Sequence, residues 1–166
     1  MHVSFHRVVP SGGDWALRPA GAVTLWNTSR VTIANCSFLR TDANAVFIGG
    51  RTRNTTVLGC EMAWIGMSAV AALGLTDFDD ASGGDQPWGT VLSQLVVREL
   101  GLWEKQSSAY FAGRTPLTRV EGCLFYNGPR AMVNINDGLH DGSNFTGNLM
   151  FNTCRESGDH GAMNSW

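Results

Sequence analysis

The sequence predicts an all-β solenoid, a parallel β-helix of about five to six coils built by residues 1–166 as one domain. Three observations carry this. First, a short motif returns down the chain at Asn35-Cys36-Ser37, Gly59-Cys60-Glu61, Ser93-Gln94-Leu95, Gly122-Cys123-Leu124 and Gly147-Asn148-Leu149, in steps of 24, 34, 29 and 25 residues. A period near 24 with two insertions is the signature of a stacked repeat. Second, another short apolar run follows most copies after about 8 or 9 residues. Third, the chain holds 20 Gly and only 16% charged residues, with runs rich in Val, Thr, Phe and Asn. Those are strand and turn residues, and long amphipathic stretches of helix formers are missing.

Each strand follows from its residues. The first coil reads Ala22-Val-Thr-Leu25 and then Val31-Thr-Ile-Ala-Asn-Cys-Ser-Phe38. The second reads Ala45-Val-Phe-Ile48 and Thr55-Thr-Val-Leu-Gly-Cys-Glu-Met62, the third Ala69-Val-Ala-Ala72 and Gly89-Thr-Val-Leu-Ser-Gln-Leu-Val96. The fourth has Ala109-Tyr-Phe-Ala112 with Thr118-Arg-Val-Glu-Gly-Cys-Leu-Phe125. The fifth has Ala131-Met-Val-Asn134 with Asn144 to Met150, and Ala162-Met-Asn-Ser165 opens a sixth. β-Branched and aromatic residues favour the strands, and Gly or Asn marks each corner. Two or three short strands per turn of about 24 residues, each pairing with its copy one coil away, buries what no single coil can bury alone. In this register Cys36, Cys60, Gln94, Cys123 and Asn148 form one column. Phe47 and Phe111 share a row with Thr24, Val133 and Asn164, either stacking outward on sugar faces or lying under a covering loop.

The repeat style, its Val-x-Gly-Cys/Asn register and its Gly/Asn corners resemble the right-handed parallel β-helix, or pectin-lyase-like, superfamily, especially its right-handed β-helix repeat proteins. The resemblance runs from about residue 20 to the end. It implies fold more than activity, because polysaccharide lyases, glycoside hydrolases, epimerases, tailspikes and non-catalytic adhesins share the architecture.

A net charge of −2 and a pI near 6.0 leave no basic footprint, so nucleic acid is not expected as a partner. No apolar run approaches the roughly 18 residues of a membrane span, and Met1-His-Val-Ser-Phe-His lacks a signal peptide's basic start and apolar core. The chain stops at Asn164-Ser-Trp166, inside a strand copy and without a polar cap, so it is expected to be a piece of a longer parent chain. Cys36, Cys60 and Cys123 share one register position with side chains parallel rather than converging, which argues for buried thiols and against a disulfide or zinc site. Cys154 falls outside the column. Sequons at Asn27, Asn35, Asn54 and Asn144 suit an extracellular or cell-surface protein, although Asn and Thr also belong at β-helix corners on geometric grounds.

Spacing locates the insertions. Coils three and five carry extra residues at one corner, Leu102-Trp-Glu-Lys-Gln-Ser-Ser108 and Thr153-Cys-Arg-Glu-Ser-Gly-Asp-His-Gly161. They should flank Asn127-Gly-Pro-Arg130 of coil four, about 10 Å apart. The rim so formed holds Glu104, Lys105, Arg130, Arg155, Glu156, Asp159 and His160, and loops on a rigid solenoid are where function concentrates. The other end of the strand carries the acidic stretch from Leu75 to Trp88 and the stretch from Asn136 to Asn144. Asp77, Asp79, Asp80 and Asp85 offer oxygen ligands to calcium, without the spacing of an EF-hand; a solvated loop is the plainer account.

Ser157-Gly-Asp-His-Gly161 is the densest chemical cluster. A carboxylate beside an imidazole between two glycines suits proton transfer at a closely approaching sugar. Asp159, His160 and Glu156 are therefore the candidate catalytic residues. Arg130 and Arg155 can grip a uronate carboxylate in bidentate fashion, with Lys105, Glu104 and Asp137 as further substrate contacts. The segment resembles the Gly-His-Gly-bearing motifs of β-helix glycosidases and the Asp-x-Gly-Ala stretch of β-helix repeat hydrolases, which makes Asp159 the matching acid. It departs from the polygalacturonase pattern, with no Asn-Thr-Asp and no Arg-x-Lys motif. Glycosidases need two carboxylates about 5 to 10 Å apart, and Asp159 can pair with Glu156 or Asp137. A lyase route would use His160 or Lys105 as base. The expectation is a carbohydrate-active protein acting on a polysaccharide, hydrolase ahead of lyase, with a non-catalytic adhesin or surface scaffold as the alternative.

Overall fold

The computed structural model describes residues 17–76, 80–136, 138 and 142–165. The first coil contains β1 (Gly21–Trp26), β2 (Thr32–Ala34) and β3 (Ser37–Leu39), and the second β4 (Asn44–Gly49), β5 (Thr56–Leu58) and β6 (Glu61–Ile65). The third has β7 (Val70–Leu73), β8 (Val91–Ser93) and β9 (Val96–Leu100), and the fourth β10 (Tyr110–Gly113), β11 (Arg119–Glu121) and β12 (Leu124–Tyr126). The fifth is β13 (Val133–Asn136), β14 (Asn144–Thr146) and β15 (Leu149–Phe151), after which β16 (Met163–Ser165) begins a sixth. Every strand pairs in parallel with its copies in adjacent coils, giving one six-stranded sheet, β1-β4-β7-β10-β13-β16, and two of five strands. This is a parallel β-helix of five to six coils. Among the described residues no helix is long and apolar enough to cross a membrane.

Inward side chains form continuous rows down the lumen. The second sheet contributes Ile33, Val57, Leu92, Val120 and Phe145, and the third Phe38, Met62, Val97, Phe125 and Met150. The six-stranded sheet adds Val23, Val46, Val70, Tyr110 and Val133. Tyr110 is fully buried and satisfies its hydroxyl against Thr118 Oγ1 at 3.2 Å. Burial pushes its phenol above the ordinary value, with hydrogen bonds to Thr115 and Thr118 opposing. A raised folded value means that this stabilisation is complete below the unfolded tyrosine pKa of about 10 and falls as pH rises beyond it. Alkaline unfolding should therefore be less steep in Tyr110→Phe, which costs about 1 kcal/mol at neutral pH. Denaturant titrations at neutral and alkaline pH test this, and equal pH slopes for the two proteins would refute it.

The coils turn on left-handed residues rather than on a fixed loop sequence. Between the second and third sheets Asn35, Gly59, Gln94, Gly122 and Gly147 all have φ between 52° and 66°. Between the third and six-stranded sheets Arg40, Trp64, Glu99, Asn127 and Asn152 have φ between 50° and 58°. Glycine is needed where an asparagine of the preceding coil presses down: a Cβ on Gly59 would lie 2.7 Å from Asn35 Oδ1. Asn27, Asn35 and Asn54, expected as sequons, all occupy such corners.

Two register expectations are corrected. Ser93 pairs with Leu58 and Val96 with Glu61, so Gln94 takes the left-handed corner and Leu95 joins the column of Cys36, Cys60, Cys123 and Asn148. In the fifth coil Met132, not Ala131, takes the place of Ala45, Ala69 and Ala109 ahead of the strand, so the step from Cys123 matches the steps from Cys36 and Cys60 in the first two coils. Val133 consequently faces the lumen opposite Tyr110, and Asn134 stands opposite Phe111. The column explains its own chemistry. Cys60 Sγ accepts from Cys36 N at 3.4 Å, Cys123 Sγ from Leu95 N at 3.5 Å, and Asn148 Oδ1 from Cys123 N at 2.9 Å. All four thiols are free; Cys60 and Cys123 are buried, which raises both above the usual thiol range, whereas Cys36 is exposed. Phe47 and Phe111 do lie on the outer face of the six-stranded sheet, but they are buried with Leu17, Ala71, Leu73 and Ala131 and present no sugar-stacking row.

Candidate functional site

The corner between the third and six-stranded sheets brings the two insertions together. The first turn of the coil-three insertion is strapped to coil two, with Leu102 N on Ile65 O at 3.1 Å and Trp103 N on Gly66 O at 3.0 Å. The coil-five insertion repeats the device on coil four: Cys154 N reaches Arg130 O at 3.2 Å, Arg155 N reaches Gly128 O at 3.1 Å and Glu156 N reaches Pro129 O at 3.0 Å. Neither segment depends on side chains alone for its position. Lys105 Nζ then closes the gap to Glu156 Oε1 at 2.9 Å, so the insertions touch across coil four.

Arg130 is the hub. Its side chain is only 8% exposed, and its guanidinium donates to Asp159 Oδ2 at 3.1 Å, to Gln106 Oε1 and to His160 Nε2. A guanidinium has no acceptor, so Nε2 of His160 accepts there. The imidazole is 6% exposed and turned into the corner, with Asp159 Oδ1 3.8 Å away. Asp159 instead faces solvent with a 64% exposed side chain. The Ser157 hydroxyl, followed by Arg130 and His160, holds its carboxyl below the usual carboxylate range. The arrangement presents an ionised carboxylate outward, backed by a buried cation.

Of the residues expected at the site, Lys105, Arg130, Glu156, Asp159 and His160 meet there. Arg155 turns aside to Glu99 at 3.4 Å. Glu104 is largely buried and accepts from Gln106 N at 3.3 Å, which makes it a brace of its own loop. Asp137 lies outside the described residues, as do Asp77 and Asp79 of the acidic stretch. Asp80 accepts from Ser82 N at 2.8 Å. Main-chain carbonyls of Thr76, Gly83, Gly84 and Gln86 are engaged by Arg114, Arg51 and Arg53 rather than left open to a cation. Among the described residues no three acidic, His or Cys side chains cluster to hold a metal.

No family model, curated protein or solved structure matches this chain. Fold and site therefore stand on geometry.

Two site features escape a reading based on titratable residues. Gln106 is one, since an uncharged amide beside Lys105 carries no signal of its pairing with Arg130. The other is a cleft on the same corner, lined by Arg40, Thr41, Asp42, Trp64, Leu102 and Trp103. The apolar pair Leu102-Trp103 at the head of an otherwise polar insertion is the trace of it that the sequence carries. Gly66 makes the cleft possible: a Cβ there would overlap the Asp42 carbonyl and lie 2.6 Å from Trp103 Cδ1. Gly66→Ala is expected to cost about 1–3 kcal/mol by overpacking and to displace Trp103. Denaturant unfolding and the tryptophan emission maximum report the two effects, and an unchanged value of both would contradict the packing described.

Proposed function

We propose that this chain is a carbohydrate-active β-helix protein of the pectin-lyase-like kind that binds and hydrolyses a polysaccharide at the corner of coils three to five. The observation that carries the reading is Asp159, an exposed carboxylate kept ionised by Ser157 and by the buried Arg130. Such a group suits a nucleophile, a base for water or a stabiliser of an oxocarbenium-like transition state. Glu156 on the same loop is the candidate second carboxylate. His160, with Nε2 committed to Arg130, positions the guanidinium. Hydrolysis is favoured over β-elimination because the exposed group at the corner is the Asp159 carboxylate, whereas the imidazole of His160 is turned inward. The location that goes with this reading, and with the sequons, is extracellular or at the cell surface.

A second reading has an observation of its own. Glu156 and Asp159 each spend a carboxylate oxygen on a cation, as in a rim built for binding alone. The test is to incubate the protein with uronic-acid and neutral polysaccharides, following new reducing ends and unsaturated products separately, beside Asp159→Asn and His160→Ala. Reducing ends without unsaturation, lost in Asp159→Asn, are expected. Unsaturated products would replace hydrolysis by lyase chemistry, and binding without cleavage would favour the adhesin or scaffold.

A further inference from the structure

We infer that the cleft formed by coils one to three is a saccharide subsite, where Trp103, beside a wall made by Trp64, stacks on a pyranose ring of a chain running parallel to the solenoid axis toward Asp159. The identity of that chain rests on the polysaccharide reading above; the place of the subsite rests on the cleft itself.

Trp103 is 71% exposed, yet the turn that carries it is strapped down by main-chain bonds from Leu102, Trp103 and Glu104 to Ile65 and Gly66. A large aromatic ring held in water on a fixed turn is the usual mark of a binding surface. Trp64 supplies the second ring, 38% exposed, from a corner position with φ of 55°. Every coil makes this left-handed turn at the same corner, so the torsion sets only the direction in which the Trp64 ring leaves the backbone. Two guanidiniums lie against its ring, Arg98 at 4.4 Å and Arg40 at 5.7 Å, and Arg98 is itself fixed by Glu61 at 2.8 Å. The Trp64 ring is therefore pre-set before any ligand arrives.

The lining identifies the ligand class. The open ring face of Trp103 matches the C–H face of a pyranose, while Arg40 and Asp42 in the lining can donate to and accept from its hydroxyls. The cleft, of about 280 Å³, lies just below the roughly 300–1,000 Å³ range of ligand pockets. That is room for a sugar ring rather than for a helix. Continuity supplies the direction. Lys105 and Gln106, two and three residues beyond Trp103, meet Glu156 and Arg130, so one loop serves both cleft and carboxylate. Coils repeat at about 4.8 Å, which puts the corner of coil two about 15 Å from that of coil five, the reach of a short oligosaccharide.

The test is a fluorescence titration with oligosaccharides of graded length, prepared from one uronic-acid and one neutral polysaccharide, using the Asp159→Asn protein so that ligand persists. Longer oligosaccharides are expected to perturb tryptophan emission. Adding Trp103→Ala should weaken their binding about tenfold, with an unchanged unfolding midpoint because the side chain is exposed. Trp103→Ala alone should raise KM for long substrates more than it lowers kcat. Equal affinity with and without Trp103 would overturn the subsite, as would concentration-dependent dimerisation that shields the ring in sedimentation experiments. The two readings fail separately. Cleavage that depends on Asp159 but not on Trp103 removes the subsite alone, whereas binding that depends on Trp103 without any cleavage removes the hydrolase and leaves the subsite. A panel that neither binds nor is cleaved removes both.

Discussion

Phe125→Ala should destabilise the β-helix by about 3–5 kcal/mol, the range for emptying a buried aromatic site. Phe125 is fully buried in the lumen and stacks in register between Val97 of coil three and Met150 of coil five. Its neighbours stand on strands fixed to adjacent coils, so the walls of the cavity have little freedom to collapse. A cost of that size is a large share of the 5–15 kcal/mol that holds a typical domain together. Phe151→Ala is the control. Phe151 stacks on Tyr126 with centroids 4.9 Å apart but is exposed on the outer face, so its loss should cost about 1 kcal/mol. Denaturant unfolding followed by circular dichroism compares them, and similar costs for the two would mean that the lumen is not the packed core described above.

The second large effect is chemical. If Asp159 acts on the glycosidic bond as proposed, Asp159→Asn should lower cleavage by about 10²- to 10⁴-fold. The fold should not notice, because the carboxylate is exposed and Arg130 keeps Gln106 and His160. The pH dependence has a definite sign. A depressed folded pKa keeps Asp159 charged as pH falls through the ordinary aspartate value of about 3.9, and the charge disappears only below it. The acid limb of the pH–rate profile should lie correspondingly low. It should move up toward the ordinary value in Ser157→Ala, which removes the largest cause of the shift. An acid limb unmoved by Ser157→Ala would place the essential ionisation on another group.

Repeat and strand position are legible in the residues because period, β-branched content and Gly/Asn corners point one way. The register is legible only to within one residue. Gln94 sits beside Leu95 at a corner where Asn, Gly and Gln all adopt positive φ; without the pairing partners, nothing in the chain says which of the two turns. The slip at Val133 arises because Ala131 and Met132 both suit the first apolar position before β13, and only the pairing of Val133 with Tyr110 shows that Met132 takes it. For the site, insertion length is enough to put both loops at one corner beside coil four, where Lys105 meets Glu156 and Arg130 meets Asp159. What charge and spacing do not encode is orientation. His160 turns inward, Glu104 folds onto its own loop, and Arg155 joins Glu99. The outer phenylalanines show the same limit, since alternation places Phe47 and Phe111 on a face and does not say whether that face is wet.

The column of Arg40, Trp64, Glu99, Asn127 and Asn152 shares one backbone bend and almost no side-chain chemistry. Asn152 donates to Asn127 at 2.5 Å and Asn127 to Glu99 at 2.5 Å, while Trp64 carries the arginines. Because torsion rather than residue type makes the turn, each level of this edge can be rewritten without disturbing the hydrophobic rows that set the spacing. The outer surface of this edge can thus change one storey at a time. A different group installed at a single corner would change the contacts with the corners directly above and below, while the buried rows would remain as they were.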